Sequence, residues 1–237
     1  MNFSFNKFKI LSGSMLKLIA IISMAIDHCA LILRSDLELL QFTLFSLGGV
    51  EFTVYQLMRK IGRLAFPLFC FLIAEGFLHT KDAKKYGCRL LIFAVISEIP
   101  FNLMMSGKLL YPSKQNVYFT LLLGMLLLYI FENTRGEVKK AFFACIVAVI
   151  SVFLKADYGL SGALLIVLIH ALRKHPAAQA IVSYPLLSGG KAAFVAFLPI
   201  NMYNGQRGFI QSKALKYGFY LFYPLHILAL LLIRSLL

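Results

Sequence analysis

Apolar runs separated by short polar segments follow one another along almost the whole 237-residue chain. Runs of this kind predict membrane-spanning helices, which satisfy their backbone hydrogen bonds internally. A straight helix needs about 20 residues to cross a bilayer, and several runs are shorter than this. We therefore expect some helices to be broken, tilted or re-entrant. The nine candidate spans are residues 15–33, 61–77, 89–105, 117–131, 141–154, 159–172, 177–187, 192–202 and 217–233.

The fold predicted from this pattern is an all-α, polytopic transmembrane helical bundle of about 9 (8–10) short helices, with residues 1–237 in a single domain. Residues 37–58 are harder to assign, because this largely apolar segment contains Glu38 and Glu51. It can span the membrane, lie at the interface or dip back into it. Lys and Arg accumulate on the cytoplasmic side of membrane proteins, and this bias favours a cytoplasmic N-terminus with residues 37–58 outside and not spanning.

The composition indicates that lipid surrounds this chain. Hydrophobic residues make up 60% of the sequence, charged residues make up 14%, and the mean hydropathy is +0.80, whereas soluble domains are typically about 45–50% apolar and about 25% charged. A nucleic-acid-binding protein can share the net charge of +14. Here the Lys and Arg residues form short clusters between apolar runs, which is typical of loops facing headgroups and cytoplasm. We therefore expect membrane lipid, and no nucleic acid, as a partner.

The cysteines and histidines predict no metal and no disulfide. Four cysteines lie inside or at the edges of apolar runs, and no Cys-x-x-Cys pair is present. The five histidines are spread along the chain rather than clustered. The first apolar run contains Asp27 and His28, which is unlike the core of a cleavable signal peptide.

Polar residues inside the predicted spans are the candidates for function. A charge near the middle of a bilayer costs about 2.5–3.5 kcal/mol on insertion, so such residues pair, line a wet cavity or take part in chemistry. Asp27 and His28 lie about two-thirds along the first span. A carboxylate near an imidazole fixes its tautomer and raises its basicity. A polar pair that only bridges helices explains the same two residues.

The second and third spans carry further ionisable residues. Arg63 opens the second span, where it can bind an anion or pair with a buried acid such as Glu98. Glu75 and His79 are four residues apart and share one helix face. Pro100 is expected to kink the third span beside Glu98, which suits a wet pocket or a structural ion pair.

Three later segments contain weaker candidates. Asp157 lies at the edge of a span, where an ordinary turn acid also explains it. Arg207 follows a glycine-bearing turn that can approach a phosphate but is also consistent with a plain loop. In the last span, Tyr223 belongs to a pocket or to an interfacial aromatic belt. His226 lies deeper, two residues beyond Pro224.

The order and spacing of these motifs resemble the TraX family over residues 16–233. The matching segments are Asp27-His28, Gly62-Arg63-x-x-Phe66-Pro67-x-Phe69, Glu75-Gly76-Phe77-x-His79-Thr80, Arg89-Leu90, Ser97-Glu98-Ile99-Pro100-Phe101, Asn116-Val117 with Phe119-Thr120-Leu121, Asp157-Tyr158-Gly159, and Tyr220-x-x-Tyr223-Pro224-x-His226. Each motif is weak by itself, and the specificity lies in their order. Residues 34–60 contribute little to the resemblance.

The resemblance implies an acetyltransferase. The family's named member acetylates the N-terminal amine of a conjugative pilin in the bacterial inner (cytoplasmic) membrane, and the family is similar to membrane acyltransferases that modify cell-surface glycans. The resemblance therefore implies a multi-pass protein of that membrane with acetyl-CoA as co-substrate and no metal. The acceptor is an amine or hydroxyl on a membrane-associated partner, either a pilin-like peptide N-terminus or a cell-surface glycan. A homodimer is left open.

The resemblance also implies roles for individual residues. It places the catalytic histidine at His28, with Asp27 orienting or polarising its imidazole. Basic loops that face the cytoplasm suit the phosphates of CoA. The residues expected in the substrate or cofactor pocket are Arg63, Glu75, His79, Glu98, Asn116, Asp157, Tyr223 and His226. The residues expected to bind CoA phosphates are Lys81, Lys84, Lys85, Arg89 and Arg207.

Two other functions fit the same polar residues. Intramembrane acids, arginines and histidines also form proton relays, so a transporter or channel for a small solute or ion is an alternative. Transporters often consist of two related halves, and no such repeat is visible in this sequence. A structural or assembly protein, in which the buried polar residues only hold helices together, is the third hypothesis.

Overall fold

The computed structural model describes residues 9–237, apart from the side chains of residues 47 and 50, and it is 73% helical. A two-stranded antiparallel hairpin, β1 Thr43–Leu47 and β2 Val50–Thr53, lies between the first two helices. Short 3-10 helices occupy Glu38–Gln41 and Tyr184–Leu186. The α-helices are α1 Gly13–Ile32, α2 Val54–Gly62, α3 Ala65–His79, α4 Ala83–Ser106, α5 Val117–Asn133, α6 Glu137–Leu154, α7 Gly159–Ala171, α8 Pro176–Ser183, α9 Gly190–Phe194, α10 Phe197–Asn201 and α11 Lys213–Leu236.

The chain divides into two compact units, and the first contains the described residues before 69 together with 191–237. In this unit α1 packs against both α2 and α11. At one end, Ser14 bonds to Arg207 and Ile210, which precede α11. At the other end, Asp36 lies beyond α1 and pairs with Arg234 in the last turn of α11. α1 and α11 are therefore parallel neighbours.

The second unit, residues 69–190, is built around α5, which packs against α4, α6 and α7. The chain enters α5 and α7 at the same end, because the Gln115 N–H donates to the carbonyl of Lys155 and the Tyr158 N–H donates to the Thr120 hydroxyl. α6 connects these two helices in the chain and therefore runs in the opposite direction. A buried core cluster consists of Leu123, Leu127, Val147, Ala156 and Ala163.

Each of the nine predicted spans contains a helix, although the bounds differ by a few residues. The expectation of broken helices is confirmed at residues 192–202, which divide into α9 and α10. The all-α prediction needs one correction, because residues 43–53 form the hairpin. Residues 37–58 therefore contain no long helix that spans. The single-domain interpretation stays a prediction.

Four helical segments are long and apolar enough to cross a membrane, namely Gly13–Ile32, Val54–His79, Ala83–Ser106 and Lys213–Leu236. α5 and α7 are apolar but shorter. Large apolar side chains on the helices are exposed, as at Phe153 (81%) and Leu232 (63%). Extended apolar surface of this kind is typical of a protein covered by lipid or by another protein.

Candidate active site

Two histidines from the parallel helices α1 and α11 meet side by side. Nδ1 of His28 lies 2.7 Å from Nε2 of His226. The ring planes are within 3° of each other and the ring centroids are 4.9 Å apart. Rings with so short a nitrogen–nitrogen distance and this centroid separation lie edge to edge in one plane, which is the geometry of an imidazole–imidazole hydrogen bond. We call these two residues the histidine pair.

A backbone carbonyl determines which nitrogen carries each proton. Nδ1 of His226 lies 2.7 Å from the carbonyl oxygen of Phe222. A carbonyl oxygen only accepts, so His226 donates from Nδ1, and the neutral ring keeps a lone pair on Nε2. That lone pair accepts the Nδ1–H of His28. Neutral His28 therefore presents its own lone pair on Nε2, and a lone pair at this atom has the chemistry of a base or a nucleophile.

Aromatic side chains restrict the orientation of the histidine pair. The ring of Tyr223 lies 5.9 Å from each imidazole, at 61° to His28 and 59° to His226. The Phe222 ring stacks on His226 with centroids 4.8 Å apart. Tyr223 is buried, whereas both histidines are only half-buried. The imidazoles are thus restrained by packing without being fully enclosed by the protein.

An ion pair lies beside the histidine pair along α1. Oδ2 of Asp27 accepts a hydrogen bond from Nη1 of Arg59 at 2.6 Å, and the two side chains are 17% and 22% exposed. A mostly buried carboxylate requires such a partner. A Cβ added at Gly62 would overlap the side chain of Asp27, so glycine allows α2 to approach α1. Arg63 follows as the C-cap of α2.

The structure brings together three residues that the sequence placed in the site, His28, Tyr223 and His226. At Nδ1 of His28 the orienting contact comes from His226, while Asp27 is held by Arg59. Sequence reasoning did not select Arg59. Asp27 could have indicated a cationic partner, because an acid inside an apolar span is usually paired. The sequence does not show which of the many Lys and Arg residues that partner is.

Three other predicted pocket residues form a polar cluster in the second unit, where α5 begins. Glu98 accepts hydrogen bonds from the side-chain amide of Asn116 and, at 3.0 Å, from its backbone N–H. The same amide donates to the carbonyl of Ala94 at 2.8 Å. Asp157 pairs with Lys114 at 2.5 Å. Asn116 is fully buried and caps α5, so this cluster joins the helices of its unit.

The remaining acid and histidine on α3 form a local pair. His79 and Glu75 are 2.9 Å apart, and the His79 side chain is 69% exposed. Within residues 9–237, no group of three or more His, Cys, Asp and Glu residues is arranged to hold a metal ion.

The helix α4 continues through Pro100, the residue at which a kink was predicted.

The first basic segment, from Lys81 into the start of α4, borders an open cavity of about 560 Å³ in the second unit. Lys81 and Lys84 line this cavity, but so do Asp82 and Glu132. Glu132 also pairs with His170 at 3.0 Å. The positive charge of the two lysines is therefore partly balanced by acids within the same cavity.

Lys85 and Arg89, which were expected in a loop, lie instead in the first turns of α4, and both have partners. Asp82 caps α4, and the hydrogen bond from the backbone N–H of Lys85 lowers the pKa of its carboxyl. Nζ of Lys85 lies 3.4 Å from the same carboxylate. The Arg89 guanidinium lies over the ring of Tyr86, 5.4 Å from its centroid.

The second basic loop is fixed against the start of α1. The backbone carbonyl of Arg207 accepts hydrogen bonds from the N–H and the hydroxyl of Ser14, at 2.9 and 2.8 Å. The Gly13 N–H donates to the carbonyl of Gln206 at 2.8 Å. These contacts hold Arg207 next to the first turn of α1.

The chain matches one protein family over most of its length. Residues 12–234 match the model described as TraX protein, a range that includes both members of the histidine pair. The chain is 31% identical to a probable fimbrial assembly protein, FimC, of Dichelobacter nodosus, over 91% of this chain and 93% of that protein. It is 29% identical to an uncharacterized protein of Rickettsia prowazekii over 51% of this chain and 38% of that protein. No solved structure matches it.

Proposed function

Because the chain belongs to the TraX family over nearly its whole length, we propose that it is a membrane-embedded acetyltransferase. It moves an acetyl group from acetyl-CoA to an amine or hydroxyl acceptor at the membrane. The observation that carries this proposal is the histidine pair, in which the bond from His28 to His226 leaves Nε2 of His28 as the basic atom. Two neutral imidazoles supply a base without placing an unpaired charge in apolar surroundings.

In the direct route, His28 is first a general base and then a general acid. Nε2 takes a proton from the acceptor amine as the amine nitrogen attacks the thioester carbonyl carbon. The carbon–sulfur bond breaks, Nε2 gives the proton to the departing thiolate, and the products are an amide and free CoA. While His28 is protonated, its Nδ1–H stays bonded to Nε2 of His226, which stabilises the cation. A hydroxyl acceptor gives an ester in the same way.

In the covalent route, Nε2 of His28 attacks the thioester carbonyl itself, and CoA leaves as the thiolate. The Nδ1 proton moves to His226, which leaves a neutral acetyl-imidazole. The acceptor amine then attacks the acetyl carbon, and the proton returns from His226 to Nδ1. The proton released by the amine neutralises the thiolate.

The Asp27–Arg59 ion pair has a positioning role in this proposal. It fixes α2 against α1 at the residue next to His28. A helix held at this point keeps the His28 ring in reach of His226, and a misplacement of about 1 Å costs an enzyme as much as a hundredfold in rate.

The acceptor we propose is the N-terminal amine of a pilin-like peptide. The support is the similarity to a probable fimbrial assembly protein along almost the whole chain. The proposed location is the bacterial cytoplasmic membrane, which the four long apolar helices would cross in several passes. The starts of α1 and α11 would face the cytoplasm, where acetyl-CoA is made.

The test uses purified protein in neutral detergent with acetyl-CoA labelled on the acetyl group, with glycinamide as an amine probe and glucosamine as a sugar probe. We expect labelled product from the wild-type protein and a loss of about 10²–10⁴-fold in turnover for His28→Ala, the range of a lost general base. The exposed His175 supplies the matched control, and His175→Ala should keep turnover within about twofold.

A second reaction separates the two routes. Labelled CoA exchanges into unlabelled acetyl-CoA without any acceptor only if an acetyl-enzyme forms. Exchange that disappears in His28→Ala assigns the covalent route, and acetyl transfer without exchange assigns direct attack. Full turnover in a correctly folded His28→Ala protein would contradict the proposed mechanism.

A further inference from the structure

Positive charge is distributed unevenly in the first unit. Residues 1–26 and 158–237 contain no Asp or Glu. The acids of this unit are Asp27, Asp36, Glu38 and Glu51, which all lie in the last part of α1 or beyond it. The end of the unit where α1 and α11 begin therefore has cations and no acid from its own segments.

Three of these cations lie close together. Lys17 is partly buried in α1, one turn beyond Ser14, which donates to the Arg207 carbonyl, and Lys216 lies in the first turn of α11, which begins at the same end of the unit. Within residues 9–237, neither Lys17 nor Arg207 forms an ion pair with an acid. Three like charges around one partly buried position destabilise one another, and a bound anion would remove that repulsion.

The loop that carries Arg207 is held in place by its neighbour. Gly208 has φ +82°, a conformation that favours glycine, and a Cβ there would lie 2.8 Å from the Cβ of Ser14. Oγ of Ser14 accepts from the N–H of Ile210 at 2.9 Å and donates to the Arg207 carbonyl. The cationic cluster is thus built on a fixed loop.

The distance from this cluster to the histidine pair matches the arm of CoA. Lys17 and His28 are eleven residues apart, which is about 16 Å along α1 and close to three full turns, so both lie on one face of the helix. Twelve bonds join the pyrophosphate oxygen of CoA to its sulfur. At the advance per bond of an extended backbone, this arm reaches about 14 Å.

We propose that Lys17, Arg207 and Lys216 bind the pyrophosphate of the thioester donor, and that α1 sets the distance at which its acetyl group reaches His28. This inference rests on the proposed acetyl transfer. It gives Lys17, which has no other assigned role, the role of a donor-binding residue. The cluster differs from Lys81 and Lys84, which share their cavity with acids.

The experiment compares two donors with the protein in lipid-free neutral detergent. Acetyl-CoA carries the phosphates, whereas S-acetylpantetheine has the same thioester arm without them. Lys17→Ala should raise the Kd for CoA and the KM for acetyl-CoA about ten- to hundredfold, the size expected for a charge-assisted hydrogen bond. The KM for S-acetylpantetheine should not change. Lys17→Arg should restore much of the binding.

Lys213 is the matched control, because it is an exposed cation at the first position of α11. Lys213→Ala should change CoA binding by no more than about twofold. Unchanged CoA binding in Lys17→Ala, with wild-type transfer intact, would overturn the inference and leave the proposed function standing. A wild-type protein that neither binds CoA nor transfers acetyl groups would remove the proposed function itself.

A lipid headgroup offers the same phosphate chemistry, so a further arm uses labelled phosphatidylglycerol. One outcome would assign the site to lipid phosphate and show that the inference is wrong. In that outcome the wild-type protein retains the lipid, Lys17→Ala loses it, and both proteins bind CoA equally. If added phosphatidylglycerol leaves the difference in CoA binding between wild type and Lys17→Ala intact, the site is assigned to the donor.

Discussion

The position of each proton in the histidine pair is set by the group that accepts it. The carbonyl of Phe222 accepts from Nδ1 of His226, and Nε2 of His226 accepts from Nδ1 of His28. A second imidazole here occupies the position that the orienting carboxylate occupies in a hydrolase triad. No anion is needed at this position, which suits a site inside an apolar bundle.

Substitution of His226 tests this orienting role. His226→Phe removes the acceptor for Nδ1 of His28, and we expect turnover to fall about 10²–10³-fold while the KM for acetyl-CoA changes little. His226→Gln places a side-chain carbonyl near the former Nε2 and should restore part of the activity. Equal losses in both variants, measured as kcat and KM over a range of pH, would contradict this role.

The sequence singles out the candidate site residues but does not indicate their contacts. Asp27, His28 and His226 stand out because polar groups are costly within apolar runs. Their pairing was not predictable, since 198 residues separate the two histidines and no local pattern records that α1 and α11 are neighbours. Asp27 was expected to orient the imidazole, but its partner Arg59 comes from a segment with little family resemblance.

Among the helices, the contact between α1 and α2 depends on one position without a side chain. Gly62 faces Asp27 so closely that a methyl group would overlap it. The glycine therefore allows Arg59, one turn earlier on α2, to reach the Asp27 carboxylate.

Gly62→Ala should lower the free energy of unfolding by about 1–3 kcal/mol, because the added methyl group overpacks the contact between α1 and α2. Thermal unfolding in detergent and acetyl transfer both report the change, and transfer should fall with it. The control is Gly218→Ala in α11, where an added Cβ meets nothing within 4 Å. Equal stability of the two variants would show that the α1–α2 contact tolerates the methyl group.

Residues 37–58 show where the periodicity of the sequence is a poor guide. Their mixture of apolar and acidic residues does not distinguish a span from an interfacial segment. In the structure, Phe45 and Phe52 stack across the hairpin, 4.8 Å apart, and Thr53 caps α2. Short strands with few alternating positions carry too little pattern to be separated from a short apolar helix.

For the whole molecule, the runs of apolar residues predicted the positions of the helices well, because a helix satisfies the backbone hydrogen bonds of a long apolar run internally. The division into two units was not predicted, since it depends on which helices pack together rather than on any one of them. The uneven distribution of Lys and Arg was visible in the sequence. That Arg207 lies next to the α1 turn before Lys17 was not, because this depends on where the loop folds.

The proposed orientation predicts which residues can be labelled from outside the cell. In a variant without native cysteines, Ser46→Cys on the hairpin should react with a membrane-impermeant maleimide in intact cells. Glu137→Cys, at the exposed start of α6, should react only after permeabilisation, because the positive-inside bias places that loop in the cytoplasm. The opposite pattern would invert the orientation and separate the Lys17 cluster from the cytoplasmic pool of acetyl-CoA.

The wide chain separation within the histidine pair has a consequence for biosynthesis. A ribosome must translate beyond residue 226 before the second imidazole exists, and α11 must then insert next to the first helix. In the proposed mechanism, a nascent or prematurely terminated chain without α11 would lack the acceptor for Nδ1–H of His28, and its transfer activity would be low. The proposed activity would therefore reach its full rate only after the last long helix has inserted, and incomplete products of translation would consume little acetyl-CoA.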